Sequence, residues 1–356
     1  MPSYIKVPVV QGRQGGHDFY LGSVSVGMLL LMVRFTDANL PAKERAQRVV
    51  SLPAAKGICS YITENPDSYH FNNIELSIMG EAQFEPIPGF QEFGYLTWLD
   101  TTAVLINDGQ TRSKAFELAV AVNRAIATGE DVKVAFEVKP SLERCRQIAS
   151  DLNLKQRRFS RALAKYFDGR DPESIIVRLT LESSPTFQNL TDVCNDTISK
   201  DSDYLFPYNG FYKATSYLLC GQEDRDLDQQ VELATDYWEA IAARMPDWIA
   251  VIEGRLTAKQ AREGKLHSQA IVLEALGKLG CYLLTRHPKH WEQKLSALTD
   301  VDWQRSSPHW QNRVIFGRVI KKDRTALIGI VAYLKQALGL PLDPEEEQIE
   351  QAIRSH

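Results

Sequence analysis

Apolar and polar residues alternate with a period near two along several stretches of the first half of the chain, and with a helical period along most of the second. Ile5-Lys6-Val7 and Phe19-Tyr20-Leu21 flank a glycine-rich segment, residues 12–16, and predict a hairpin. Residues 41–64 predict a helix, with Pro41 suited to its first turn and Val49 and Val50 in an apolar pattern flanked by Arg45 and Arg48. Residues 74–78, 95–99 and 103–106 predict short strands, and Pro86, Pro88 and Gly89 within residues 82–93 predict an irregular loop between them. A helix is expected over 113–127 and a strand over 131–138, followed by a second helix for which Ser141 is a credible N-cap. From Asn189 onward the strand signals fade, and helical periodicity marks residues 229–244, 257–287 and 325–339.

This succession predicts an α+β protein: a mixed α/β domain over 1–182, a mainly helical domain over 183–342, and a short acidic tail, 343–356, read as a solvated helix start. At 356 residues, with 44% hydrophobic and 24% charged residues, the composition is that of a folded globular chain with room for two cores. The apolar run over 24–33 is far short of the ~20 residues that span a bilayer. The first residues also lack a basic and apolar leader, so a cytoplasmic protein away from membranes is expected. Cys59, Cys145, Cys194, Cys220 and Cys281 are scattered and never spaced as Cys-x-x-Cys, so they are expected as free thiols, with no metal site. Net charge is −4, but the charges are segregated. Residues 144–165 and 305–324 are strongly basic, and the compensating acids gather in 223–239 and in the tail, which permits a positive surface on a mildly acidic chain.

P-loop, dinucleotide-binding, hydrolase-elbow and zincin motifs are absent, and no catalytic residue is assigned. Asp108-Gly109-Gln110-Thr111-Arg112 stands between a strand-like run and a helix-like run. That order aims unpaired backbone N–H groups and the positive end of the helix dipole at one point, and Arg112 adds a fork suited to phosphate oxygens. The bland reading is a β-to-α turn in which Gly109 supplies a positive φ and Asp108 or Thr111 caps the helix. The element resembles the Asp-Gly-Gln-His-Arg motif of the DGQHR domain, related to the ParB and sulfiredoxin families, in which a turn of this kind handles nucleotide phosphates. Thr111 stands where that motif has histidine, so phosphate binding by Gly109 and Arg112 survives while any general-base role does not.

A second constellation runs from Ile148 to Asp171. Were residues 157–167 helical, Arg157, Arg161 and Lys165 would form one basic stripe, with Arg158 beside it and Phe159, Leu163 and Tyr166 as an apolar anchor on another face. A solubilising face and an anion-binding face are even readings of that stripe. This block, together with Met245-Pro246-Asp247-Trp248, Val301-Asp302-Trp303-Gln304-Arg305-Ser306 and further matches along nearly the whole chain, resembles the DndB family of regulators of bacterial DNA phosphorothioate modification. A third constellation, residues 313–324, interleaves Arg313, Arg318, Lys321, Lys322 and Arg324 with apolar residues, with Trp303 and Trp310 upstream expected in the core.

The resemblance implies a repressor that binds double-stranded DNA at the promoter of a sulfur-modification operon, with Arg157, Arg158, Arg161, Lys165 and the 313–324 cations on phosphates. A regulator reading a two-fold operator would be expected to be a homodimer. The alternative is a ParB-like nucleotide switch or NTPase taking ATP or CTP with Mg²⁺ at residues 108–112. A third reading docks other sulfur-modification proteins on the acidic 223–239 segment.

Overall fold

The structure is a computed structural model in which residues 2–33, 50–154 and 159–354 are described. The chain forms two compact units, residues 1–157 and 158–356.

The first unit is built on a seven-stranded sheet, in chain order β1 (Tyr4–Gln14), β2 (His17–Ser25), β3 (Ile74–Ile78), β4 (Ala82–Ile87), β5 (Phe90–Leu99), β6 (Val104–Asp108) and β7 (Asp131–Val138). Their spatial order is β4-β5-β1-β2-β7-β3-β6, antiparallel throughout except for the parallel pair β3–β7. Ile5, Val7 and Val9 are buried while their neighbours on β1 are exposed, so one face of this strand carries the core. Among the described residues the unit also has five helices: α1 (Val26–Met32), α2 (Leu52–Glu64), α3 (Gln110–Val122), α4 (Ile126–Gly129) and α5 (Leu142–Leu154). Leu29, Ile62, Phe116, Trp98 and Phe136 join one apolar cluster on the sheet.

The expected N-terminal hairpin and the strands at 74–78 and 131–138 are present. Of the helix expected over 41–64, α2 forms residues 52–64, and residues 41–49 lie outside the described residues. The loop expected over 82–93 is instead the β4–β5 hairpin, turning at Gly89 with φ 89°. Proline misleads there because β4 is an edge strand, where a missing N–H costs no ladder bond, and Pro86 sits at the point where the register shifts.

The second unit is mainly helical: α6 (Arg161–Phe167), α7 (Pro172–Ser183), α8 (Pro185–Leu190), α9 (Tyr208–Leu219), α10 (Leu227–Ala242), α11 (Pro246–Ile252), α12 (Ala258–Gly264), α13 (Ala270–Arg286), α14 (Trp291–Lys294), α15 (Arg324–Ala337) and α16 (Pro344–Arg354). Two-residue strands pair as β8 (Thr191–Asp192) with β9 (Phe206–Pro207) and β10 (Ile315–Phe316) with β11 (Val319–Ile320). Helices α9 and α13 cross closely because Gly277 leaves no Cβ to meet the backbone of Ala214. Trp238, Trp248 and Trp310 are fully buried in one cluster, and Trp303 joins them, as their size dictates.

This unit starts earlier than the 182/183 boundary expected above, because α6 and α7 pack on α9 and α10. The single helix expected over 257–287 is divided into α12 and α13 by a short turn containing His267. Nor is the acidic C-terminal stretch a solvated tail. Helix α16 lies on α15, and Glu346 and Glu350, each 4% exposed, are buried against Lys335 and Arg313.

His267 is 1% exposed. Its Nδ1 accepts the indole N–H of Trp248 at 3.0 Å, so the ring proton sits on Nε2 and points at Asp247, also 3.0 Å away. Burial lowers the His267 pKa, and the hydrogen bond from His267 holds the Asp247 carboxyl down to about 2. Both folded-state values lie below the unfolded ones, so the unfolded chain binds more protons on acidification. The histidine contribution is present above pH ~6.5 and is lost as pH falls below it; the aspartate contribution is lost as pH falls from ~3.9 toward 2. Urea unfolding should show stability falling between pH 7.5 and 5.5, and His267→Gln should flatten that fall. An unchanged pH dependence in the variant would contradict the assignment.

Candidate functional site

Strand β6 ends at Asp108, and Gly109 turns the chain into α3 with φ 105°. A side chain is excluded at Gly109 both by that conformation and by Ile74, whose Cγ1 would lie 3.0 Å from an added Cβ. Helix α3 has no side-chain cap, so neither Asp108 nor Thr111 takes up its first N–H groups. Gln110 instead folds back, donating to the carbonyls of Ile106 at 2.7 Å and Asn107 at 3.3 Å.

Arg112 is engaged elsewhere. One of its terminal nitrogens donates to Asp108 Oδ2 at 2.8 Å; the other donates to the carbonyls of Asn72 at 2.7 Å and Asn73 at 3.1 Å and to the Asn72 side chain. The guanidinium therefore ties the entry of β3 to the β6–α3 turn, with its side chain 12% exposed. Asn72 and Asn73 carried no signal in the sequence, because a carbonyl acceptor leaves no trace in residue type. Glu75 lies in the same cluster, and burial, with the charges of Asp108 and Glu137 adding to it, pushes its carboxyl up. A nucleotide phosphate at this turn would meet backbone N–H groups and the Thr111 hydroxyl, while Arg112 would first have to give up its present partners.

The 148–171 constellation is only partly described, and Arg157 and Arg158 lie outside the described residues. Helix α6 begins at Arg161, capped by Ser160, whose hydroxyl accepts from the Leu163 N–H at 3.0 Å. Arg161 and Lys165 share α6 and are exposed, with the Lys165 ammonium 3.4 Å from the centroid of the Tyr212 ring. Phe159 is not the anchor expected above. It precedes the helix and is 72% exposed, meeting the also exposed Phe167 edge-on at 6.2 Å, while Ala162 faces the core.

The 313–324 constellation divides in two. Arg313 is 7% exposed and is held by the His309 and Gly329 carbonyls at 3.0 and 2.7 Å and by both carboxylate oxygens of Glu350. The expected phosphate contact at Arg313 is therefore corrected: a guanidinium enclosed by its own unit cannot reach DNA. The remaining cations are outside. Phe316 pairs with Val319 across a two-residue loop, Gly317-Arg318, and Gly317 adopts φ 64° at the loop position where hairpins favour glycine. Ile315 is buried and seats the hairpin, whereas Phe316, Gly317, Arg318 and Val319 at its tip are exposed. Lys321 lies over the Phe316 ring at 4.0 Å, and Lys322 follows. Arg318, Lys321 and Lys322 have no salt bridge among the described residues, unlike Arg324, which pairs with Glu345 at 2.9 Å. The result is a short cationic ribbon on a buried base.

Among the described residues no helix is long and apolar enough to cross a membrane, and no group of His, Cys, Asp and Glu side chains could hold a metal ion. A family model described as DndB, DNA-sulfur modification-associated, matches residues 7–341. No curated protein and no solved structure matches the chain.

Proposed function

The chain belongs to the DndB family, which is associated with DNA sulfur modification, and from that premise we propose that it is a DNA-binding regulator of the modification genes. The observation that carries this reading is the β10–β11 hairpin, which, with the residues just after it, offers Arg318, Lys321 and Lys322 to solvent with no salt bridge among the described residues. A two-stranded ribbon is narrow enough to enter the major groove of B-DNA, and cations at its tip and base then fall near the flanking phosphates. Such contacts displace counterions and fix register without reading bases. Arg161 and Lys165 on α6 are a second exposed cationic patch in the same unit. The family association also makes other proteins of DNA sulfur modification natural partners.

A regulator must prefer its own promoter. Fluorescence anisotropy with the promoter duplex and a scrambled duplex of equal length should give a specificity ratio of about 10³ or more, typical of specific sites. A ratio near one at two salt concentrations would contradict regulation by operator binding.

A further inference from the structure

Helices α9, α13 and α15 enclose a cleft of about 860 Å³, within the range of about 300–1,000 Å³ usual for small-molecule sites. One part of its wall is apolar, with Ile271, Leu327 and Val331 each nearly buried. Another part centres on a single carboxylate. Glu274 has an 18% exposed side chain, lies 3.9 Å from the Lys213 ammonium and feels the charges of Lys278 and Lys322 as well. Burial pushes its carboxyl up against the pull of those three lysines.

Several other charges of the cleft are already engaged. Lys335 is bonded to Glu346 at 2.7 Å with Asp343 at 3.8 Å, Arg324 pairs with Glu345, and Asp323 caps α15 by accepting from the Ala326 N–H at 2.9 Å. Lys278 lies over the Tyr217 ring at 4.2 Å, and neither it nor Lys322 nor Arg286 has a salt bridge among the described residues. Glu274 alone therefore faces three lysines, and only one of them stands at ion-pair distance.

We propose that this cleft binds a small organic phosphate, with the phosphate on Lys213, Lys278 and Lys322 and the organic part against Ile271, Leu327 and Val331. Three ammoniums match the oxygens of a phosphomonoester, and the adjoining apolar wall suits a group that inorganic phosphate lacks. Glu274 holds Lys213 in place and opposes the ligand's charge, which sets a modest affinity. The site lies wholly in the helical unit; it shares Lys322 with the DNA reading, whereas Lys213 and Lys278 belong to the cleft alone.

Isothermal titration of the full chain with adenosine 5′-monophosphate, in low-salt buffer free of phosphate, tests it. Saturable binding is expected, with inorganic phosphate weaker and adenosine without measurable heat. Lys278→Ala should weaken adenosine monophosphate about tenfold, the loss of one charge-assisted contact. Glu274→Gln should tighten it several-fold by removing a like charge without changing shape. Arg112→Ala should leave it unchanged, which separates this cleft from the β6–α3 turn. No saturable heat with adenosine monophosphate, equal binding of adenosine, or an affinity indifferent to both Lys278→Ala and Glu274→Gln would overturn the proposal.

Discussion

Replacing Arg313 with alanine should lower the stability of the helical unit by about 3–5 kcal/mol, the usual cost of stranding one partner of a buried ion pair. The guanidinium is 7% exposed, and the carboxylate it faces, Glu350, is 4% exposed. Burial pushes the Arg313 pKa down to about 10, which still leaves the group charged at neutral pH. Its removal leaves the carbonyls of His309 and Gly329 without their donor and the Glu350 carboxylate without a counter-charge, in a place water does not reach. For a unit of this size each kcal/mol is worth roughly 2–4 °C, so the melting temperature should fall by roughly 6–20 °C. The double variant Arg313→Met, Glu350→Leu should recover most of the loss, because an apolar pair of similar volume needs no partner. A loss under ~1 kcal/mol in Arg313→Ala would show that α16 is not held on α15 by this pair.

The second large effect concerns binding. Reversing all three hairpin cations, as Arg318→Glu, Lys321→Glu and Lys322→Glu together, should weaken duplex DNA binding by about 10²–10³-fold at moderate salt, from three charge-assisted contacts of about 1–1.5 kcal/mol each. The melting temperature should not move, since all three side chains are exposed and none is in a salt bridge among the described residues. Arg324→Glu should cost less than any one of these changes, because Arg324 is already partnered by Glu345. DNA binding at wild-type strength in the triple variant would remove the hairpin from the interface.

Strand positions were readable from the chain wherever one face is buried and the other wet. The alternation of Ile5, Val7 and Val9 on β1 and of Val132 and Val134 on β7 is a direct imprint of that geometry. What escaped was decided by neighbours distant in sequence. Proline 86 reads as a strand breaker until it is known to lie on an edge. Glu346 and Glu350 read as solvated until Lys335 and Arg313 are seen to cover them, and Arg313 reads as a surface cation for the same reason. At the β6–α3 turn the strand, the glycine conformation and the helix start were legible, because each is a local property of Gly109 and its flanks. The use of Arg112 was not, since apart from Asp108 its acceptors lie some forty positions earlier in the chain and two of them are backbone carbonyls. The hairpin was legible as charge but not as shape: the basic residues at 318, 321 and 322 stand out in the sequence, while only the pairing of Phe316 with Val319 puts them on or beside a ribbon.

The central claim is that this ribbon neutralises DNA phosphates. The dependence of duplex affinity on salt measures that number directly, since each neutralised phosphate adds about 0.9 to the slope of log K against log salt. Titrations of the promoter duplex from about 50 to 200 mM salt should give a slope for the triple hairpin variant shallower than wild type by about 2–3. Parallel slopes in the two proteins would contradict the account, whatever their affinities.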